Sequence, residues 1–194
     1  MNYPIKVRIE DIEYPINTDF RTAIECNTIA MDRDIGDYER ALAIIYKLFG
    51  EKGLEDKENH CKLLELAQKY LTCGKELNQE VKEEEIDMDF VQDMDYIEAS
   101  FMSDYNIDLS NTEMHWWKFY NLMNGLSNSE MGNCCVLNRI RNLRNYDTSQ
   151  IKDIKERTKI EKAKQQVALK KKGKALTKEQ QESIERFNKL AGIN

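Results

Sequence analysis

Proline is nearly missing from this chain. Its two copies, Pro4 and Pro15, lie in the first fifteen of 194 residues, and glycine occurs only eight times. Beyond Pro15, helix periodicity is interrupted only by scattered glycines, so most of the chain is free to be helical. No run of about eighteen apolar residues could span a bilayer, and no signal-peptide pattern is seen. The expectation is a cytoplasmic protein with no membrane partner. The cysteines, Cys26, Cys61, Cys73, Cys134 and Cys135, form no C-x-x-C pair and are odd in number. That argues against a disulfide framework or a zinc site and for reduced, buried thiols. His60 beside Cys61 has no second pair at ligand spacing, so no metal is expected. There is no phosphate loop and no nucleophile with a base at fixed distance, so neither a cofactor nor an enzyme is expected.

What the chain does have is 41% hydrophobic residues, enough for one domain with a tail. Its formal charge of -6 hides an asymmetry. From Glu80 to Glu98 there are nine acidic residues against one lysine. From Lys152 to Lys174 there are ten basic residues against three acidic ones, a tail of +7 against -13 for the rest. Such a split marks a partner-binding arm, or an arm that lies on its own acidic region.

The one strand signal is at the start, where Ile5, Val7 and Ile9 alternate with Lys6, Arg8 and Glu10. A turn flanked by Asp11 and Glu13 returns through Tyr14-Pro15-Ile16, and such a hairpin must pack on the helices after it. Asn17 or Thr18 then caps a helix from about Asp19 to Met31. A second helix carries Tyr38, Ala41, Leu42, Ile45, Leu48 and Phe49 in one stripe and closes at Gly50. A loop around Gly53 leads to a third, with Leu63, Ala67 and Tyr70 before Gly74. Lys75 to Glu85 reads as a loop or a weak helix. In the fourth helix Phe90, Met94, Ile97, Phe101 and Tyr105 share one stripe, and Asp93 and Asp95 read as a solvated acidic face.

The richest stretch is Ile107 to Leu126. Asn106 suits a left-handed helix end, and Ser110 with Glu113 spells a capping box. Trp116, Phe119, Leu122, Met123 and Leu126 recur at helical steps. Adjacent Trp116 and Trp117 point about 100° apart. This puts Trp116, Phe119, Met123, Phe101 and Ile97 in the core and leaves Trp117, with Tyr120, for a partner face. A sixth helix from about Ser129 carries Met131, Cys135, Val136, Ile140 and Leu143, with Arg139, Arg141 and Arg144 outside. Beyond Tyr146 the isoleucines are sparse, which fits a projecting charged helix rather than a core one. A flexible joint follows at Gly173. Thr177 with Gln180 then caps a short amphipathic helix through Ile184, Phe187 and Leu190. The expected fold is mainly α: a multi-helix core over 1–145 with an N-terminal β-hairpin, a basic arm over 146–174 and a short amphipathic helix over 175–194.

The strings YPINTDFR (Tyr14 to Arg21), YNIDL (Tyr105 to Leu109), MHWWKF (Met114 to Phe119) and the pair Ile140-Arg141 resemble the bacteriophage gene-product-fifteen family of tail-operon proteins. The resemblance runs from Tyr3 to about Lys172. Asn106 stands for the family's usual glycine and Met114 for its leucine, both mild changes. The resemblance implies a tail assembly chaperone in the cytoplasm of a bacterial host. Such a protein would bind the phage tape-measure protein and possibly the tail-tube protein, with possible self-association and no catalytic residue. Trp117, Tyr120 and the run Lys170-Lys171-Lys172 are the expected partner-binding residues. That run also lies where a ribosomal slip would add a longer C-terminus. The alternative is a phage accessory protein whose basic arm binds nucleic acid with salt-sensitive, sequence-independent affinity. The acidic body and the lack of aromatics among the lysines weigh against it.

Overall fold

A computed structural model describes residues 3–32, 34–75, 87–128 and 134–170. Most of the expected Lys75–Glu85 stretch, the start of the helix placed at Ser129, Lys171, Lys172, the Gly173 joint and the Thr177–Leu190 helix lie outside these residues. Strands β1 (Lys6–Ile9) and β2 (Ile12–Pro15) form an antiparallel hairpin in the register Val7 opposite Tyr14 and Ile9 opposite Ile12. The turn is therefore Glu10-Asp11, with Glu10 at φ 53°. Glu13 belongs to β2 rather than to the turn, and there it meets Lys6 at 2.8 Å and Arg8 at 3.2 Å. The hairpin is docked through fully buried Tyr14, whose hydroxyl donates to the Asp56 carboxylate, and through Asn17 N–H donating to Leu48 O at 2.8 Å.

The helices are α1 (Phe20–Ala30), α2 (Asp37–Glu55), α3 (His60–Leu71), α4 (Met94–Tyr105), α5 (Trp116–Asn124), α6 (Val136–Asn145) and α7 (Ile154–Val167). Asp19, not Asn17 or Thr18, caps α1: its carboxylate accepts the Arg21 N–H at 2.8 Å. Gly50 interrupts α2 with φ 68° and ψ −161°, a conformation natural only to glycine. The chain then resumes as helix, so Gly53 is a buried helical residue and not a loop. A Cβ there would come within 2.7 Å of the Phe49 Cβ, which explains why the second half of the kinked helix needs glycine at this point. Asn106 closes α4 in the left-handed conformation. The core runs through all of these elements except α7, and its largest fully buried side chains include Trp116, Tyr14, Phe20, Phe101 and Phe119.

One acidic and one basic side chain expected in water are inside. Asp93 is 1% exposed and Arg144 10%, and they pair fork to fork at 2.7 Å for both bonds. Asp93 also accepts the Asp89 N–H at 3.0 Å, and Arg144 donates to Asp87 O and Val167 O, each at 2.7 Å. The bonds to Asp93 raise the Arg144 pKa above its ordinary value. Helical periodicity places Arg144 on the outside only if α7 and the Asp87–Asp93 turn are left out. Those two segments cover it. α6 begins at Val136, capped by Cys135, so the buried residues of this helix are Leu137 and Asn138. α7 has no buried residue; it lies along α6 and is held at its end by Val167 and by Lys164 donating to Tyr146 O at 2.5 Å.

Among the described residues, Asp93–Arg144 is the one buried ion pair, and it ties α4, α6 and the end of α7. Asp93→Leu or Arg144→Met alone should each lower stability by about 3–5 kcal/mol, because a charge is left unpaired inside. The double variant should recover most of that loss in urea denaturation. Equal losses in all three proteins would contradict a buried, mutually compensating pair.

Candidate functional site

The expected Ser110–Glu113 capping box does not form, because Asp108 organises that loop instead. Its carboxylate accepts the Asn111 side chain at 2.7 Å and the Ser110 N–H at 2.9 Å, bonds that hold its pKa below the usual carboxylate range. α5 starts later and is capped by His115, whose Nδ1 accepts the Trp117 N–H at 3.0 Å. With Nδ1 accepting, Nε2 carries the proton and donates to Pro4 O at 2.9 Å. Histidine is not among the common capping residues, which is why its sequence signal is silent.

The starts of α1 and α5 then serve each other. Phe20 N–H donates to Met114 O at 3.0 Å and Trp116 N–H donates to Thr18 O at 2.8 Å, a short antiparallel bridge centred on Asp19 and His115. Arg21 adds to this junction. Its guanidinium donates to the carbonyls of Leu109, Ser110 and Thr112 and pairs with Asp19 at 3.2 Å. The INTDFR segment thus holds both the IDL loop and the tryptophan helix.

The adjacent tryptophans divide their work. Trp116 is 1% exposed and donates its indole N–H to Leu71 O at 3.0 Å. Trp117 is half-buried and donates its own to Tyr70 O at 2.9 Å. Both carbonyls belong to the last turn of α3: Leu71 O has no backbone donor of its own, and Tyr70 O also accepts the Cys73 N–H at 3.0 Å. Trp117 stacks on Tyr70 with ring centres 6.2 Å apart and meets Tyr3 edge-on at 6.4 Å. One turn on, Tyr120 is half-buried, tilts against Trp116 and lies 4.9 Å beneath the Lys75 ammonium. Gly74, at φ +73°, turns the chain over the Trp117 ring. Tyr3, Trp117, Tyr120 and Lys75 therefore make a shallow aromatic strip with one cation, rigidly backed by α3.

Behind the strip, burial disfavours the charged forms of the neighbouring side chains. Burial pushes the Cys26 thiol up to about 12 and the Cys73 thiol up to about 11, and raises the Tyr70 phenol above its ordinary range. Neutral thiols are poor nucleophiles; the expected burial holds for Cys26 and Cys135, while Cys73 and Cys134 are half-buried and Cys61 is exposed. Tyr70 Oη is buried with no hydrogen-bond partner among the described residues. Among those residues no group of three His, Cys, Asp or Glu is arranged to hold a metal ion, and no helix is long and apolar enough to cross a membrane.

Ile97, Phe101 and Phe119 are fully buried, and Met123 is half-buried against the same core. Lys170 is exposed, and its backbone N–H donates to Gln92 Oε1 at 2.8 Å while its carbonyl accepts a bond from Gln92 Nε2 at 3.2 Å. These bonds tie it to the turn before α4 and not to α5, so the strip and the start of the lysine run are separate features. Sequence reasoning missed Tyr3, His115 and Arg21. Arg21, inside INTDFR, and His115, inside MHWWKF, left a trace only as parts of those strings, and the role of Arg21 needs a loop 88 residues away.

Trp116→Ala should cost about 3–5 kcal/mol through lost aromatic burial. Trp117→Ala should cost clearly less, since part of its ring already faces water. Thermal denaturation of the two variants checks this, and equal losses would remove Trp117 from any role beyond packing.

A search of the curated proteins and one of the solved structures returned no match. The model of one protein family, Bacteriophage Gp15 protein, matches residues 2–169, which takes in the hairpin, helices α1 to α7 and the Asp19–His115 junction. The chain belongs to the Bacteriophage Gp15 protein family.

Proposed function

We propose that this protein is a non-enzymatic tail assembly chaperone that binds the tape-measure protein during phage tail morphogenesis in the cytoplasm of the bacterial host. The observation that carries the reading is the rigid aromatic strip of Tyr3, Trp117 and Tyr120. Trp117 has its only side-chain polar atom satisfied by Tyr70 O, so its open ring edge can meet an apolar partner at no hydrogen-bond cost. Aromatic side chains held in place, with a cation at the edge, are what protein-binding hot spots use. A tape-measure protein, being a long helix, offers apolar anchors at three- and four-residue steps that such a strip can take. Membership of a bacteriophage family supports the setting. Lys170 to Lys172 are a second, separate contact for acidic stretches of the partner. Contacts with the tail-tube protein and with further copies of the chain are secondary parts of the same proposal.

Co-expression with the tape-measure protein of the same phage should carry that protein into the soluble fraction. Trp117→Ala with Tyr120→Ala should return it to the pellet, at a temperature where the variant keeps its near-ultraviolet signal. A tape-measure protein equally soluble with and without the chaperone would overturn the reading. A DNA mobility shift that weakens steeply with salt would then favour the nucleic-acid alternative.

A further inference from the structure

Tyr3 is the one aromatic member of the strip that no helix carries. It stands before Pro4, and a residue before proline is confined to extended backbone. Tyr3 makes no hydrogen bond to a described residue, and Pro4 makes one, its carbonyl accepting from His115 Nε2 at 2.9 Å. The next tie along the chain is already in the hairpin, where Ile5 O accepts the Ile16 N–H at 2.9 Å. The place of the Tyr3 ring thus depends on the proline and on one hydrogen bond from His115.

The imidazole is also the surface on which Tyr3 rests. The two rings stack with centres 4.9 Å apart and planes 24° apart, closer than the edge-on contact of Tyr3 with Trp117 at 6.4 Å. Tyr70 and Trp117 meet the same imidazole edge-on at 5.9 and 6.5 Å. Capping α5 does not require a ring, since the oxygen of Asn, Asp, Ser or Thr takes a helix N–H at least as well. What those side chains lack is a donor far enough out to reach Pro4 O. A neutral imidazole has an acceptor and a donor at separate corners of one rigid ring, and His115 uses both, Nδ1 on the Trp117 N–H and Nε2 on Pro4 O.

We propose, on the reading of the strip as the chaperone's partner surface, that His115 is its positioning residue. It holds Tyr3 beside Trp117, and Tyr3 so held completes the surface that takes an apolar anchor of the partner helix. His115 itself is half-buried beneath the Tyr3 ring and acts through it. A surface whose aromatic rings are fixed before the partner arrives loses less side-chain freedom on binding.

His115→Asn separates the two ends of the ring, because the amide oxygen keeps the cap on the Trp117 N–H while the hold on Pro4 and the stacking face are gone. In the NMR spectrum of the full chain, the Overhauser contact between the Tyr3 ring and the Trp117 indole should be lost. The Trp117 indole N–H, bonded to Tyr70 O, should stay protected from solvent exchange, which also reports that the variant is folded. Tyr3→Ala is the second variant and leaves His115 and its cap in place. Co-expressed with the tape-measure protein of the same phage, each variant should lower the soluble share of that protein by the same amount. The double variant should be no worse than either, since one residue acts through the other. A Tyr3–Trp117 contact that survives in His115→Asn would overturn the proposal, as would a further loss in the double variant or full solubilisation by Tyr3→Ala. A wild-type protein that leaves the tape-measure protein in the pellet instead overturns the chaperone reading, and the binding role of Tyr3 with it, whatever the NMR contact shows.

Discussion

Two helices can begin side by side inside a protein only if their unpaired first N–H groups find acceptors. Here α1 and α5 supply each other. The Phe20 N–H uses the Met114 carbonyl and the Trp116 N–H uses the Thr18 carbonyl, while Asp19 and His115 each cap the next N–H of their own helix. Four otherwise orphaned donors are satisfied by two short segments lying antiparallel. Arg21 locks the arrangement by collecting three carbonyls of the 109–112 loop.

The core depends on that junction. It delivers Phe20 and Phe119 as a stacked pair with ring centres 4.5 Å apart, and Phe119 stacks again on Phe101 at 5.1 Å and on Trp116 at 5.8 Å. Three helices, α1, α4 and α5, meet on one phenyl ring. Because α5 is held in this register, its two tryptophans reach the end of α3, where Trp116 satisfies the Leu71 carbonyl and Trp117 adds a second bond to the Tyr70 carbonyl, which also accepts the Cys73 N–H. The proposed binding strip is a by-product of the same geometry, since the side of α5 away from Phe119 carries Trp117 and Tyr120.

Sequence reasoning recovered what depends on local periodicity. The hairpin, the helices of the described residues, the Gly50 break, the left-handed Asn106 and the core positions of Trp116, Phe119, Phe101 and Ile97 all leave signals within a turn or two of themselves. It failed where a distant segment changes a residue's surroundings. Asp93 and Arg144 look solvated on their own helices, and only the return of α7 and the Asp87–Asp93 turn closes them off. Ser110 and Glu113 match a capping pattern, but Asp108 binds the Ser110 N–H first and delays the helix to Trp116. The candidate strip was half legible. Adjacent tryptophans pointing apart announced two environments, yet the partners Tyr3, Tyr70 and Lys75 are far from Trp117 and Tyr120 along the chain and could not be paired with them in advance.

Amide hydrogen exchange at Phe20 and Trp116 tests the central claim most directly. Each is the first residue of its helix, a position where amides ordinarily exchange at close to the open rate. Reciprocal bonding between the two helix starts requires protection as strong as that of the Ile45 and Ile97 amides in the core helices. Exchange at both positions as fast as that of Ile154, the first residue of α7, would contradict it.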